Sequence, residues 1–194
     1  GKSVKTYQQS KPLKAAEKKL EQARQHQLFV ASQIQRTLLL GSPPTDVAEM
    51  SIGRLTIPSQ HIDGDFYDFI RLGPNVIDIV VADIMGKGIM AAFMGAALKS
   101  AFLRVLNEFK FARRSGDGLP EPEQIVSAVH DNMIAQMEEL ETFVTLCYGR
   151  FDLNRRRFIF VDCGHVRTIH YRHAGKTVHL LRGANMPLGF PEKE

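Results

Sequence analysis

The spacing of apolar residues changes character several times along this chain. From residue 12 to about 40 a seven-residue frame places Leu13, Ala16, Leu20, Ala23, Gln27, Val30, Ile34 and Thr37 on one seam, six of the eight being apolar. No Gly or Pro interrupts Leu13 to Leu40, and helix formers dominate. The pattern predicts a coiled-coil-like linker helix over residues 1–41. It fits a short parallel dimer in which Gln27 helps fix register. A single amphipathic helix lying on its own domain is the alternative. Gly41-Ser42-Pro43-Pro44 ends the helix.

A second region, residues 49–194, has shorter periods. Met50 to Ile57 alternates loosely and predicts a strand, and Phe66 to Leu72 predicts another, with Gly73-Pro74-Asn75 as a hairpin turn. Val76 to Ala82 is nearly continuous and β-branched, the pattern of a central buried strand. Gly86 and Gly88 break the chain. Helices are predicted from Ile89 to about Phe109 and from Glu121 to about Leu140, separated by a loop over Arg113 to Pro120. Pro122 suits the first turn of the second helix. Thr142–Asp152, Arg157–Asp162, Arg167–Tyr171 and Thr177–Leu181 follow as antiparallel strands. Strands, two helices and strands again make an α+β order.

Composition narrows the class without deciding it. The chain has 194 residues, 44% hydrophobic and 24% charged, enough for one unstapled domain plus an extension. The net charge of +4 rests on scattered basic residues. The densest runs, Arg113-Arg114 and Arg155-Arg156-Arg157, read as solvated loops, so no nucleic-acid partner is expected. Cys147 and Cys163 lie in apolar strands without metal-ligand spacing, and read as buried free thiols in a reducing cytoplasm. No continuous run reaches the ~18 apolar residues of a membrane span. The start at Gly-Lys-Ser suggests a piece of a longer protein.

The chemistry concentrates in Asp63-Gly64-Asp65-Phe66-Tyr67-Asp68 and Ala82-Asp83-Ile84-Met85-Gly86-Lys87-Gly88. Asp65 precedes one strand and Asp83 ends the next. A hairpin between them can make the two carboxylates neighbours. Adjacent anions repel unless a cation lies between them, and Mg²⁺ or Mn²⁺ takes such hard oxygen ligands. Turn aspartates without a metal are the plainer reading. Asp63 reads as a turn cap, and Asp68 falls on the strand. Lys87 precedes a helix N-terminus and is a candidate phosphate contact, though an exposed turn lysine is the plainer reading. His165, in Cys163-Gly164-His165, could be a base or ligand, and reads more simply as a hairpin-turn histidine bonded to its neighbours. GxSxG and HExxH are absent.

The residues resemble the bacterial SpoIIE/RsbU-type protein phosphatases. Asp63 to Asp68 is similar to their GGDfyD motif, and Ala82 to Gly88 to aDvmGkG. Gln33-Ile34-Gln35 with Leu38-Leu39-Leu40 and Pro43-Pro44 resembles their lead-in helix. Cys163-Gly164-His165 matches aGH, and Met186-Pro187-Leu188-Gly189 resembles plG. The resemblance implies the β-sandwich flanked by helices of metal-dependent (PPM-type) serine/threonine phosphatases. It implies two Mn²⁺ or Mg²⁺ ions, with Asp65, Asp83 and the Ile84 carbonyl among their ligands and no covalent phosphoenzyme. Asp63 replaces the family's first Gly. Met85 stands where eukaryotic relatives have a His, as it does in bacterial members. The family's later TDG strand and further Asp are missing, so the domain is expected to be C-terminally incomplete and this fragment inactive.

Two functions follow as expectations. The parent protein would be a cytoplasmic phosphatase acting on a phosphoserine or phosphothreonine of a regulatory protein, a STAS-type anti-sigma-factor antagonist. It would be a homodimer through its N-terminal helix, under an upstream sensory or receiver domain. Alternatively the domain is a catalytically incomplete binding or dimerisation module.

Overall fold

The computed structural model of the protein describes residues 2–57, 64–112 and 118–190. The first element, α1 (Lys2–Leu39), runs through Pro12 and so extends ahead of the seven-residue seam that starts at Leu13. Residues 14–27 are exposed along its length. The helix therefore does not lie on its own domain over that stretch. At its end, where Leu39 is buried, it meets the rest of the chain. Leu40 then forms a parallel bridge with Tyr67, and the Gly41 amide donates to the Tyr67 carbonyl at 2.8 Å.

Four antiparallel strands form the central sheet in the order β1 (Phe66–Gly73), β2 (Val76–Ile84), β3 (Val144–Asp152) and β4 (Arg157–Cys163). The alternation of β2 sorts its side chains. Val76, Asp78, Val80, Ala82 and Ile84 face α2 (Ile89–Ala112) and α3 (Pro122–Glu139) and are buried. Leu98, Ala101 and Phe102 of α2, with Ile125, Val129, Met133 and Met137 of α3, complete this core. Phe102 stacks on Tyr148 with ring centroids 5.5 Å apart. Glu121 and Gln124 form a capping box at the start of α3, with Pro122 in the first turn.

By length and composition α2 is apolar enough to cross a membrane, although charged residues such as Lys99 and Arg104 interrupt every long apolar run. Here it is the core helix, and the sheet covers its Leu98, Phe102 and Val105 face. A second sheet pairs β5 (Thr168–Arg172) with β6 (Thr177–Leu181). On one of its faces Ile169, Tyr171, Val178 and Leu180 are all exposed. The chain is thus α+β, with a larger and a smaller sheet.

One predicted strand is absent. Residues Met50 to Ile57 form no ladder. Their alternation is real, but a strand also needs a neighbour to receive its amides and carbonyls. Among the described residues no strand pairs with this segment, and Leu55 and Ile57 stay 82% and 80% exposed. Both cysteines are free, as expected; Cys163 is buried and Cys147 half-buried.

Candidate metal centre

The candidate site forms on the sheet face turned away from α2 and α3, at one end of the strands. Phe66 pairs with Ala82, and one step further that register sets Asp65 opposite Asp83. Alternation puts both carboxylates on the open face, and both residues are exposed. The hairpin read from the sequence therefore does bring them together.

Gly64 makes this approach possible. A Cβ there would lie 2.9 Å from Ala91 Cβ, 3.0 Å from Ile84 Cβ and 3.2 Å from the Ile84 carbonyl oxygen. Only glycine lets the chain ahead of Asp65 press against β2 and α2 this closely. The same contact sets the Ile84 carbonyl beside the Asp65 turn. Gly86 and Gly88 follow with φ of 99° and 78°, and the Gly88 carbonyl accepts an α2 hydrogen bond from Ala92. Lys87 is exposed between them. Asp63 lies outside the described residues. Asp68 is on the opposite face, paired with Lys99 of α2 at 3.0 Å, and takes no part in the site.

Two residues beyond the carboxylates join the site. Thr145 is the β3 partner of Asp83, so their side chains share a face. The Thr145 hydroxyl is 2.9 Å from His165 Nδ1. His165 is thus more than a turn residue. Its amide does bond locally, donating to Asp162 Oδ1 at 2.9 Å, but its ring reaches across to β3. The other Asp162 oxygen accepts from the Gly183 amide at 2.9 Å, which clamps the turn. Burial holds the His165 imidazole below the usual histidine range, opposed by the negative charges of Asp83 and Asp162. The Asp-Cys-Gly-His order hinted at the clamp, whereas the contact with Thr145 depends on β3–β4 pairing and has no local signal.

Asp65, Asp83 and the Ile84 carbonyl are hard oxygen donors of the kind Mg²⁺ or Mn²⁺ takes. Among the described residues no three Asp, Glu, His or Cys side chains converge. The donor chemistry fits a divalent cation, and these donors alone would fill part of its coordination shell.

The sequence model of the family described as Stage II sporulation protein E (SpoIIE) matches residues 73–194. The chain belongs to the SpoIIE family. It is 25% identical over 190 residues to the phosphoserine phosphatase RsbU of Bacillus subtilis, covering 96% of this chain and 50% of RsbU. It is also 25% identical over 169 residues to the phosphoserine phosphatase RsbP of the same organism, covering 86% and 39%. This SpoIIE-family chain thus spans at most about half the length of these relatives. In fold it is similar to the SiaA-PP2C domain of Pseudomonas aeruginosa, with TM-score 0.66 and 24% identity over 90% of this chain and 65% of that one. The PP2C phosphatase domain of SpoIIE from Bacillus subtilis, with a fragment of its regulatory domain, gives TM-score 0.51 and 19% identity over 66% and 34%. These likenesses establish the PP2C fold.

Proposed function

We propose that this chain belongs to a metal-dependent protein serine/threonine phosphatase domain acting on a regulatory phosphoprotein. One observation carries the reading: in a SpoIIE-family chain of PP2C fold, β1–β2 pairing sets Asp65 opposite Asp83 beside the Ile84 carbonyl. Asp65, Asp83 and the Ile84 carbonyl would hold Mn²⁺ or Mg²⁺, two ions once the remaining ligands are supplied. When bound, such ions polarise phosphoryl oxygens and lower the pKa of water.

The chain's own residues set the surroundings. Lys87, on the exposed turn leading into α2, adds positive charge where a phosphate would approach. His165, with Nδ1 engaged by Thr145, offers Nε2 as the ring nitrogen that holds or takes a proton at the edge of the site. A phosphorylated STAS-type antagonist is the substrate we favour, in the cytoplasm. An upstream sensory or receiver domain would act through α1, which would pair with a second copy.

A binding module without catalysis is the second reading. It is favoured by the absence, among the described residues, of a third metal-binding side chain near Asp65 and Asp83. Titration with Mn²⁺, followed by paramagnetic broadening of amide signals, separates the two. Broadening centred on residues 64–66 and 82–85 at roughly millimolar Mn²⁺, and lost in Asp83→Asn, supports the phosphatase reading. In the protein of full natural length, Asp83→Asn should reduce phosphoserine hydrolysis to background. Broadening elsewhere, or full activity in that variant, would overturn it.

A further inference from the structure

The small sheet carries two histidines in register. In the β5–β6 ladder His170 lies directly opposite His179. Strand alternation puts both on one face, together with Arg172 and Thr177. Both histidines are exposed, and their ring centroids are 6.2 Å apart with the planes tilted by 42°. Two imidazoles that share one ion at Zn–N distances of about 2.0–2.1 Å bring their centroids to about 5 Å, so this pair would close by only about 1 Å. Pairing across the ladder therefore supplies most of the geometry before any ion arrives.

The surroundings choose the kind of ion. Residues 168–181 contain no Asp or Glu, so the hairpin supplies none of the anionic oxygen ligands that Mg²⁺, Ca²⁺ or Mn²⁺ take. Arg172 shares the face and Lys176 is in the turn, so the local field repels cations. An ion is held here by coordinate bonds to imidazole nitrogen, which Zn²⁺, Ni²⁺ and Cu²⁺ form well.

One ring already has a partner that orients it. The Thr177 hydroxyl is 3.2 Å from His179 Nε2. A partner on one ring nitrogen fixes the imidazole and leaves the other nitrogen for a metal, here Nδ1. Among the described residues no third metal-binding side chain joins the pair, so water would complete the shell. The ion would also matter to the hairpin. Among the described strands β5 and β6 pair only with each other, and a lone two-stranded ladder is marginal in water.

We propose that His170 and His179 together bind one Zn²⁺ or a similar imidazole-seeking ion, and that the ion staples β5 to β6. Asp65 and Asp83 offer oxygen whereas this pair offers nitrogen, and nothing in it depends on the Asp65–Asp83 face being a phosphatase centre.

The test titrates Zn²⁺ into the whole chain and follows the imidazole signals by NMR, with Mg²⁺ as the comparison. Zn²⁺ should shift His170 and His179 along one saturable curve, and Mg²⁺ at the same concentration should leave both unmoved. His179→Thr keeps a strand-forming residue and should weaken Zn²⁺ at His170 by about tenfold or more, because the second imidazole of a chelating pair binds as an intramolecular ligand. His173→Ala, at the neighbouring turn, should leave the curve unchanged. Should His179→Thr disturb the hairpin, His170→Thr followed at His179 asks the same question. Separate midpoints for the two signals, an equal response to Mg²⁺, full affinity in the Thr variants, or loss of binding in His173→Ala would overturn the site. Saturating Zn²⁺ should also slow amide exchange in β5 and β6 by about fivefold or more, since an ion bound only to the paired strands stabilises them. Saturable binding with unchanged exchange would overturn the staple.

Discussion

At the scale of single residues, a buried ion pair ties the central sheet to the chain just before α3. Asp78 lies on the core face of β2 and is completely buried. Arg150 Nε and Nη2 each donate to its carboxylate at 2.7 Å, and the Tyr148 hydroxyl donates at 2.5 Å. Arg150 Nη1 also donates to the Pro120 carbonyl, tying the chain just before α3 to the sheet. Burial and the Asp78 charge push the Tyr148 hydroxyl far above its ordinary range, so it stays a donor. Removing the cation would leave a buried carboxylate with one neutral donor. Arg150→Met should therefore destabilise the fold by about 3–5 kcal/mol. Tyr148→Phe, which removes a single hydrogen bond, should cost about 1–3 kcal/mol. Urea denaturation of both variants checks the order, and an Arg150→Met loss below that of Tyr148→Phe would refute the ion-pair account. His165 gives a pH signature. Its folded pKa lies below the unfolded value, so the unfolded chain takes up the proton first as pH falls. The stability it contributes is present above the unfolded pKa of about 6.5 and is lost as pH drops below it. The urea midpoint of the natural chain should accordingly fall more steeply between pH 7.5 and 5.5 than that of His165→Gln.

At the scale of elements, what the sequence shows is what short-range periodicity controls. β2 and both core helices follow from a β-branched run and from helical spacing, and the hairpin at Gly73-Pro74-Asn75 sets the register that joins Asp65 to Asp83. Met50 to Ile57 fails because alternation only licenses a strand, and pairing has to complete it. The long-range contact of His165 has no local signal for a related reason. Its Thr145 contact spans twenty residues and exists only once β3 and β4 pair. Asp68 shows the converse, since its strand position was legible and its Lys99 partner on α2 was not. Gly64 is a close junction between elements, where the chain ahead of β1 meets β2 and α2. Gly64→Ala should push α2 off the sheet end and cost about 1–3 kcal/mol as an overpacking change. It should also separate Asp65 from Asp83. Thermal denaturation measures the first effect and Mn²⁺-induced broadening the second. A variant of natural stability with unchanged broadening would show that the junction has room to spare.

At the scale of the whole molecule, the open question is what covers the exposed apolar surface of α1. Its seam recurs every seven residues, a period that a helix packed on a globular surface does not need. Residues 14–27 of the helix are exposed; Leu20 is 72% exposed, and further on Val30 is 42% exposed. An isolated helix with so little helix-stabilising contact is marginal in water, because most helical stability in proteins comes from a packed face. A second copy would supply that face with Gln27 in register, and would bring two PP2C-fold domains together where the helices end at Leu39. There the chain turns straight onto β1 through Leu40 and Gly41, so a rotation of the paired helices would be felt beside Asp65. Placing like charges in the seam should break the pair while leaving the domain folded. Leu20→Glu combined with Val30→Glu is expected to convert a dimer to a monomer in analytical ultracentrifugation, with the thermal transition of the globular part unchanged. Monomeric behaviour of the natural chain at high micromolar concentration would remove the dimer, and with it the route from an upstream domain to the site.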